Sequence, residues 1–191
     1  MLDEGDIRGD FGHAYEAHIV AAPDAPFLRE VEAAVGIERD HTLRIEVTTD
    51  EGQTWSRAFT KRFHPGLAGC IFTTPHPNVL GLRIQGVGLS IDVSRPDEAM
   101  ELPVLPLQNS VSDVNGRRMF LADDVKVIAF DGVRVLWISR RVSLDGIGGL
   151  SYADGTVRGL ATDVGAENVP FEIDAVSGAA SGGFVDFRRL G

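Results

Sequence analysis

Apolar and polar residues alternate through the segment Arg118 to Ile147, and Asp131-Gly132 and Asp145-Gly146 interrupt the alternation. Period-two alternation marks a half-buried strand, and Asp-Gly between such runs is a strong hairpin signal. The cause is steric: a tight type I′ turn needs φ > 0 at both central residues, which Gly tolerates freely and Asp at modest cost. The segment therefore predicts an antiparallel meander with one buried face.

The same pattern recurs upstream. His13 to Val20 reads as a short strand. Leu43, Ile45 and Val47 alternate with Arg44, Glu46 and Thr48, and Trp55, Arg57 and Phe59 form the return strand after a turn at Asp50-Glu51-Gly52. Ile71-Phe72, Val79 to Ile84 and Val87 to Val93 follow, separated by breaks at His64-Pro65-Gly66, Pro75-His76-Pro77 and Gly86. Each Pro removes a ladder donor, which forces a loop. One helix is predicted: Asp24 caps, Pro26 suits the first turn, and Phe27, Leu28, Val31, Ala34 and Val35 recur at helical spacing before Gly36.

Residues 94 to 106 hold three prolines and an acidic cluster. They predict a boundary: an acidic N-terminal β module over 1–95, a Pro-rich crossover or linker over 96–107, and a C-terminal β-meander or sandwich module over 108–191. Turn signals then recur at Asn115-Gly116, Asp131-Gly132, Asp145-Gly146, Asp154-Gly155 and Ser177-Gly178. With no helix-sized segments between them, a parallel α/β sheet is excluded. The expected fold class is all-β: antiparallel β-sandwich-like modules with at most one short N-terminal helix.

The stretch Thr48-Thr49-Asp50-Glu51-Gly52-Gln53-Thr54-Trp55 resembles an Asp-box, the S/T-x-D-x-G-x-T-W hairpin of sialidases and other β-propellers. The likeness spans only these eight residues, and one copy does not make a propeller. It implies a structural turn in which Asp50 satisfies main-chain N–H groups, Gly52 supplies the backbone geometry and Trp55 packs beneath.

Composition supports a packed core, with 43% apolar residues and a mean hydropathy of +0.01. Charge narrows the function. The chain carries 18 Lys+Arg against 28 Asp+Glu, a net charge of −10. Up to Leu107 there are 9 basic and 17 acidic residues (−8); the remainder has 9 and 11 (−2). Such a field repels phosphate backbones and anionic lipid, so neither nucleic acid nor membrane is an expected partner. A basic protein partner suits the acidic half. The acidic N-terminus lacks a signal-peptide layout, and no apolar run reaches the ~20 residues of a membrane span, which together predict a cytoplasmic protein.

No catalytic residues stand out. No Gly-x-Ser-x-Gly elbow occurs, and the glycines open turns rather than helix N-termini, so no cofactor is expected. His13, Glu16 and His18, or His64, Cys70 and His76, match no metal-ligand spacing, and no metal is expected. Cys70 reads as a small apolar residue, Asp123-Asp124 as a solvated strand start, and Arg8-Gly9-Asp10 as chance. The candidate binding residues are Trp55, Trp137, Arg140 and Arg141; the Arg pair marks either a bulge or an Arg stacked on Trp137.

These readings favour a non-enzymatic soluble binding protein that recognises a basic partner through its acidic half. The alternative is a carbohydrate-directed β protein, a binding module or small glycan-active enzyme, for which both tryptophans should be exposed. Strand edges in a small β protein are often covered by self-association, which adds a homo-oligomer to the expected partners.

Overall fold

A computed structural model describes residues 7–20, 41–61, 67–163 and 166–184. The protein is all-β, and the described residues form four antiparallel sheets. Among the described residues no helix occurs, and none is long and apolar enough to cross a membrane. The helix expected over Asp24 to Gly36, and the break at His64-Pro65-Gly66, lie outside the described residues. The chain divides into two compact units, Met1–Glu101 and Leu102–Gly191.

In the first unit, β1 (Tyr15–Val20), β2 (His41–Thr49) and β3 (Thr54–Lys61) form one sheet. The strands β4 (Cys70–Thr73), β5 (Val79–Ile84), β6 (Val87–Asp92) and β7 (Met100–Glu101) form the other. Alternation places Tyr15, Ala17, Ile45 and Val47 inward, where they share a core with Leu80, Leu82, Leu89 and Ile91 of the second sheet. The intervening Glu16 and His18 are exposed. This is the period-two logic of a sandwich. Within the Pro-rich stretch 96–107, β7 adds a short edge and Leu102, Val104 and Leu107 are buried.

In the second unit, β8 (Asn109–Asp113), β9 (Arg118–Ala122), β10 (Val127–Phe130) and β11 (Val135–Ile138) pair in chain order. Facing them is the sheet of β12 (Ile147–Ala153), β13 (Thr156–Asp163), β14 (Ala166–Asp174) and β15 (Ala180–Gly182). Phe120, Ala122, Val127 and Ala129 share a core with Val157, Ala161, Phe171 and Ile173.

The meander expected over Arg118 to Ile147 needs three corrections. First, β9 and β10 are not half-buried: Leu121, Ile128 and Phe130, on the face opposite Phe120 and Ala129, are buried as well. Their sequences MFLA and VIAF are continuous apolar runs, which suit strands buried on both faces. Second, Asp145-Gly146 joins no hairpin, because the chain there passes from β11 in one sheet to β12 in the other. Third, Asp131-Gly132 is not a type I′ turn, since only Gly132 has positive φ (96°). Paired positive φ values in a two-residue turn occur at Gln85-Gly86 (50° and 80°), between the paired residues Ile84 and Val87, and at Asp154-Gly155 (49° and 75°), between Ala153 and Thr156.

Candidate functional site

The Asp50 turn joins a hairpin, with β2 and β3 in register from His41↔Lys61 to Thr48↔Thr54. Gly52 has φ 78°, and its N–H donates to Thr49 O at 2.8 Å. The side chain that receives the Gln53 N–H is Thr49, through Oγ1 at 3.2 Å, where the likeness points to Asp50. That leaves the Asp50 carboxylate at the exposed tip. Trp55 is half-buried against the first unit's core, and its indole N–H donates to Val93 O at 2.8 Å.

Trp137 repeats this arrangement in the second unit. Its indole N–H donates to Ala175 O at 3.1 Å, and its ring stacks 5.8 Å from that of Phe120. Arg140 and Arg141 follow the end of β11 and mark no bulge inside it. Among the described residues neither stacks on Trp137; Arg141 lies over the Phe184 ring at 5.7 Å. Arg140 donates to Ala180 O, Arg141 O, Phe184 O and Gly182 O at 2.7–3.3 Å. Arg141 donates to Ser143 O and Leu144 O at 2.9 and 3.1 Å. Both guanidinium groups therefore tie down main chain.

The aspartates serve the turns. Asp123 and Asp124 lie between β9 and β10, not at a solvated strand start: Asp123 is buried and accepts the Val125 and Lys126 N–H groups, both at 2.8 Å. A short turn exposes main-chain donors that a carboxylate two or three residues upstream can reach. Asp92 accepts Ser94 N–H (3.0 Å), Asp113 accepts Gly116 (2.8 Å), Asp131 accepts Val133 and Arg134 (2.9 and 2.8 Å), and Asp174 accepts Val176 and Ser177 (3.1 and 2.7 Å).

Burial pushes the Asp92, Asp113 and Asp131 carboxyls up. Hydrogen bonds and the neighbouring Arg95, Arg118 and Arg134 outweigh it and hold all three below the usual range. At Asp174 the Ser177 hydroxyl leads the same lowering. Because these folded values lie below the unfolded value of about 3.9, their stabilisation is present above it and is lost as pH falls through the folded values. A denaturant series at stepped pH should show stability falling below about pH 4. A level or rising trend there would contradict this assignment.

One polar cluster has no counterpart in the sequence analysis. Asp113 is 5% exposed and takes Arg118 Nη2 at 2.9 Å, with the Tyr152 hydroxyl close enough to help lower its pKa. Arg118 Nη1 donates to Ala175 O at 2.9 Å, the oxygen that also receives Trp137, and Arg118 Nε is buried without a partner. The cluster joins the β8–β9, β12–β13 and β14–β15 turns. Its one sequence trace is an Asp placed to cap the Asn115-Gly116 turn.

Among the described residues no three His, Cys, Asp or Glu side chains form a group able to hold a metal ion, and His64 lies outside them. His76 Nδ1 accepts the Asn78 N–H at 3.3 Å. On the outer face of the first sheet, His18, Glu46 and Ser56 form a row across β1, β2 and β3, with His18 Nε2 4.0 Å from Glu46. The carboxylate stands between imidazole and hydroxyl, whereas a base must lie next to its nucleophile, so the row is not a triad.

What remains is the tip of the β2–β3 hairpin. Asp50 N–H donates to Ala14 O at 3.1 Å, and Glu16 pairs across from Thr48, which brings the start of β1 beside the turn. Glu16, Asp50 and Glu51 are exposed there, and among the described residues none has an ion-pair partner. Several cations of the unit are engaged elsewhere: Arg57 with Asp97, Lys61 with Glu101, and Arg95 with Asp92 and Glu98. Arg44 is exposed in the middle of β2, across from Ala58 and closer along the ladder to the tip than Lys61.

No family model matches the chain. A search of curated proteins also gives no match. The functional reading rests on these side chains.

Proposed function

We propose that the chain is a cytoplasmic, non-enzymatic binding protein that recognises a basic protein through the acidic end of its Met1–Glu101 unit. The observation that supports this reading is that Glu16, Asp50 and Glu51 are exposed at one hairpin tip with no ion-pair partner among the described residues, while Arg57, Lys61 and Arg95 of the same unit are held by other carboxylates. Clustered uncompensated charge attracts an opposite charge over about a Debye length, roughly 10 Å at 0.1 M salt, and speeds encounter more than it tightens binding. Sugar recognition by stacking uses an open aromatic face. Trp55 and Trp137 are half-buried with their indole N–H groups bonded to main chain, and no observation favours the carbohydrate alternative.

Elution of the full chain from immobilised polylysine by a salt gradient tests the reading. Asp50→Asn/Glu51→Gln should elute at clearly lower salt than Asp145→Asn/Asp154→Asn, which removes the same charge from exposed positions of the other unit. Equal shifts for the two variants would mean that net charge alone governs retention.

A further inference from the structure

The Leu102–Gly191 unit contains a surface complementary to that acidic end. Its cations mostly hold their own carboxylates: Arg118 with Asp113, Lys126 with Asp123, Arg134 with Asp131 and Arg158 with Glu172. Arg140 and Arg141 differ. Both are exposed, and among the described residues their hydrogen bonds all go to main-chain carbonyls, which orient a guanidinium without cancelling its charge. Among the described residues neither lies within ion-pair distance of a carboxylate, exposed Asp145 of the same loop included. Arg141 uses Nε and Nη2, which leaves the Nη1 donors for a carboxylate. Just before the pair, the edge strand β11 exposes Leu136 (39%) and Ile138 (51%). A fixed pair of positive charges next to exposed apolar side chains is the make-up of a protein contact surface.

We propose that the basic partner of the acidic end is a second copy of this chain: Glu16, Asp50 and Glu51 of one copy dock against Arg140, Arg141, Leu136 and Ile138 of the next. This rests on the reading that the acidic end binds a basic protein, and it names that protein. Charge complementarity selects the occupant: among the described residues Glu16, Asp50 and Glu51 of one unit have no cation partner, and Arg140 and Arg141 of the other have no carboxylate. The contact joins two different patches, so it is heterologous, and each bound copy keeps one patch open for another. Desolvation and lost freedom offset most of the Coulomb gain for so small a patch, which sets the association in the weak, salt-sensitive range.

Analytical ultracentrifugation of the full chain over a wide concentration range tests it. At about 20 mM salt the average mass should climb above the monomer's 20.6 kDa with concentration, and at about 500 mM salt it should return to the monomer. Arg141→Glu, and separately Asp50→Lys/Glu51→Lys, should each remain monomeric. Mixed, they should form a one-to-one dimer and nothing larger, since each retains one native patch. Ile138→Ser, which leaves every described hydrogen bond of the Arg pair in place, should weaken wild-type association about tenfold and guards against misfolding of the charge variants. A wild-type chain that stays monomeric at low salt, or a mixture that does not pair, would overturn the proposal. If the polylysine comparison still singles out Asp50 and Glu51, the basic partner is then another protein.

Discussion

Replacing Phe171 with alanine should destabilise the Leu102–Gly191 unit by about 3–5 kcal/mol, the range for a large aromatic removed from a packed core. Phe171 is 2% exposed on β14 and pairs across from Gly159 on β13. A Cβ on Gly159 would lie 2.4 Å from Phe171 Cζ, so the ring occupies the space that the glycine leaves open. Gly159→Ala should therefore cost about 1–3 kcal/mol by overpacking. Because the two sites share one space, the double variant should lose less than the sum of the singles in urea unfolding. Strict additivity would contradict the packing argument. The first unit uses the same device, with the Phe72 ring over Gly81, its partner across β4 and β5.

Breaking the Asp113–Arg118 pair should be about as severe. Asp113→Ala leaves a guanidinium whose side chain is only 21% exposed without its carboxylate, and leaves the Gly116 N–H without that acceptor. Removing one partner of a buried pair costs about 3–5 kcal/mol, because the survivor remains charged and desolvated. Replacing both, as in Asp113→Asn/Arg118→Met, should recover a good part of that loss, since the stranded charge disappears. A double variant less stable than Asp113→Ala in urea would show that the pair contributes more than the avoidance of an orphaned charge.

Legibility in the sequence follows the range of the interactions. The strands β1, β2 and β3 and the Asp50 hairpin are set by neighbours within a few residues, and alternation with turn chemistry shows them. The double burial of β9 and β10 depends on what covers a second face, which apolar runs permit but do not specify. Asp145-Gly146 looks like a hairpin because the local signal of a turn is the same whether the next strand joins the same sheet or the opposite one. The candidate sites are less legible still. Acidic excess is visible in composition, but which acids stay unpaired depends on contacts such as Arg57 with Asp97, between a strand and a distant loop. Arg140 and Arg141 draw attention as a pair, yet their role is fixed by carbonyls at Ala180, Gly182 and Phe184, far along the chain.

The acidic end of the first unit is the claim on which the functional reading depends. The most direct test is a titration of the isotope-labelled chain with a short oligolysine peptide at about 20 mM salt, followed by backbone amide shifts. The largest shifts should fall at residues 14–16 and 48–54 and disappear at about 500 mM salt. Shifts spread evenly over the exposed acids of both units, or centred on Asp145, Asp154 and Glu172, would contradict it.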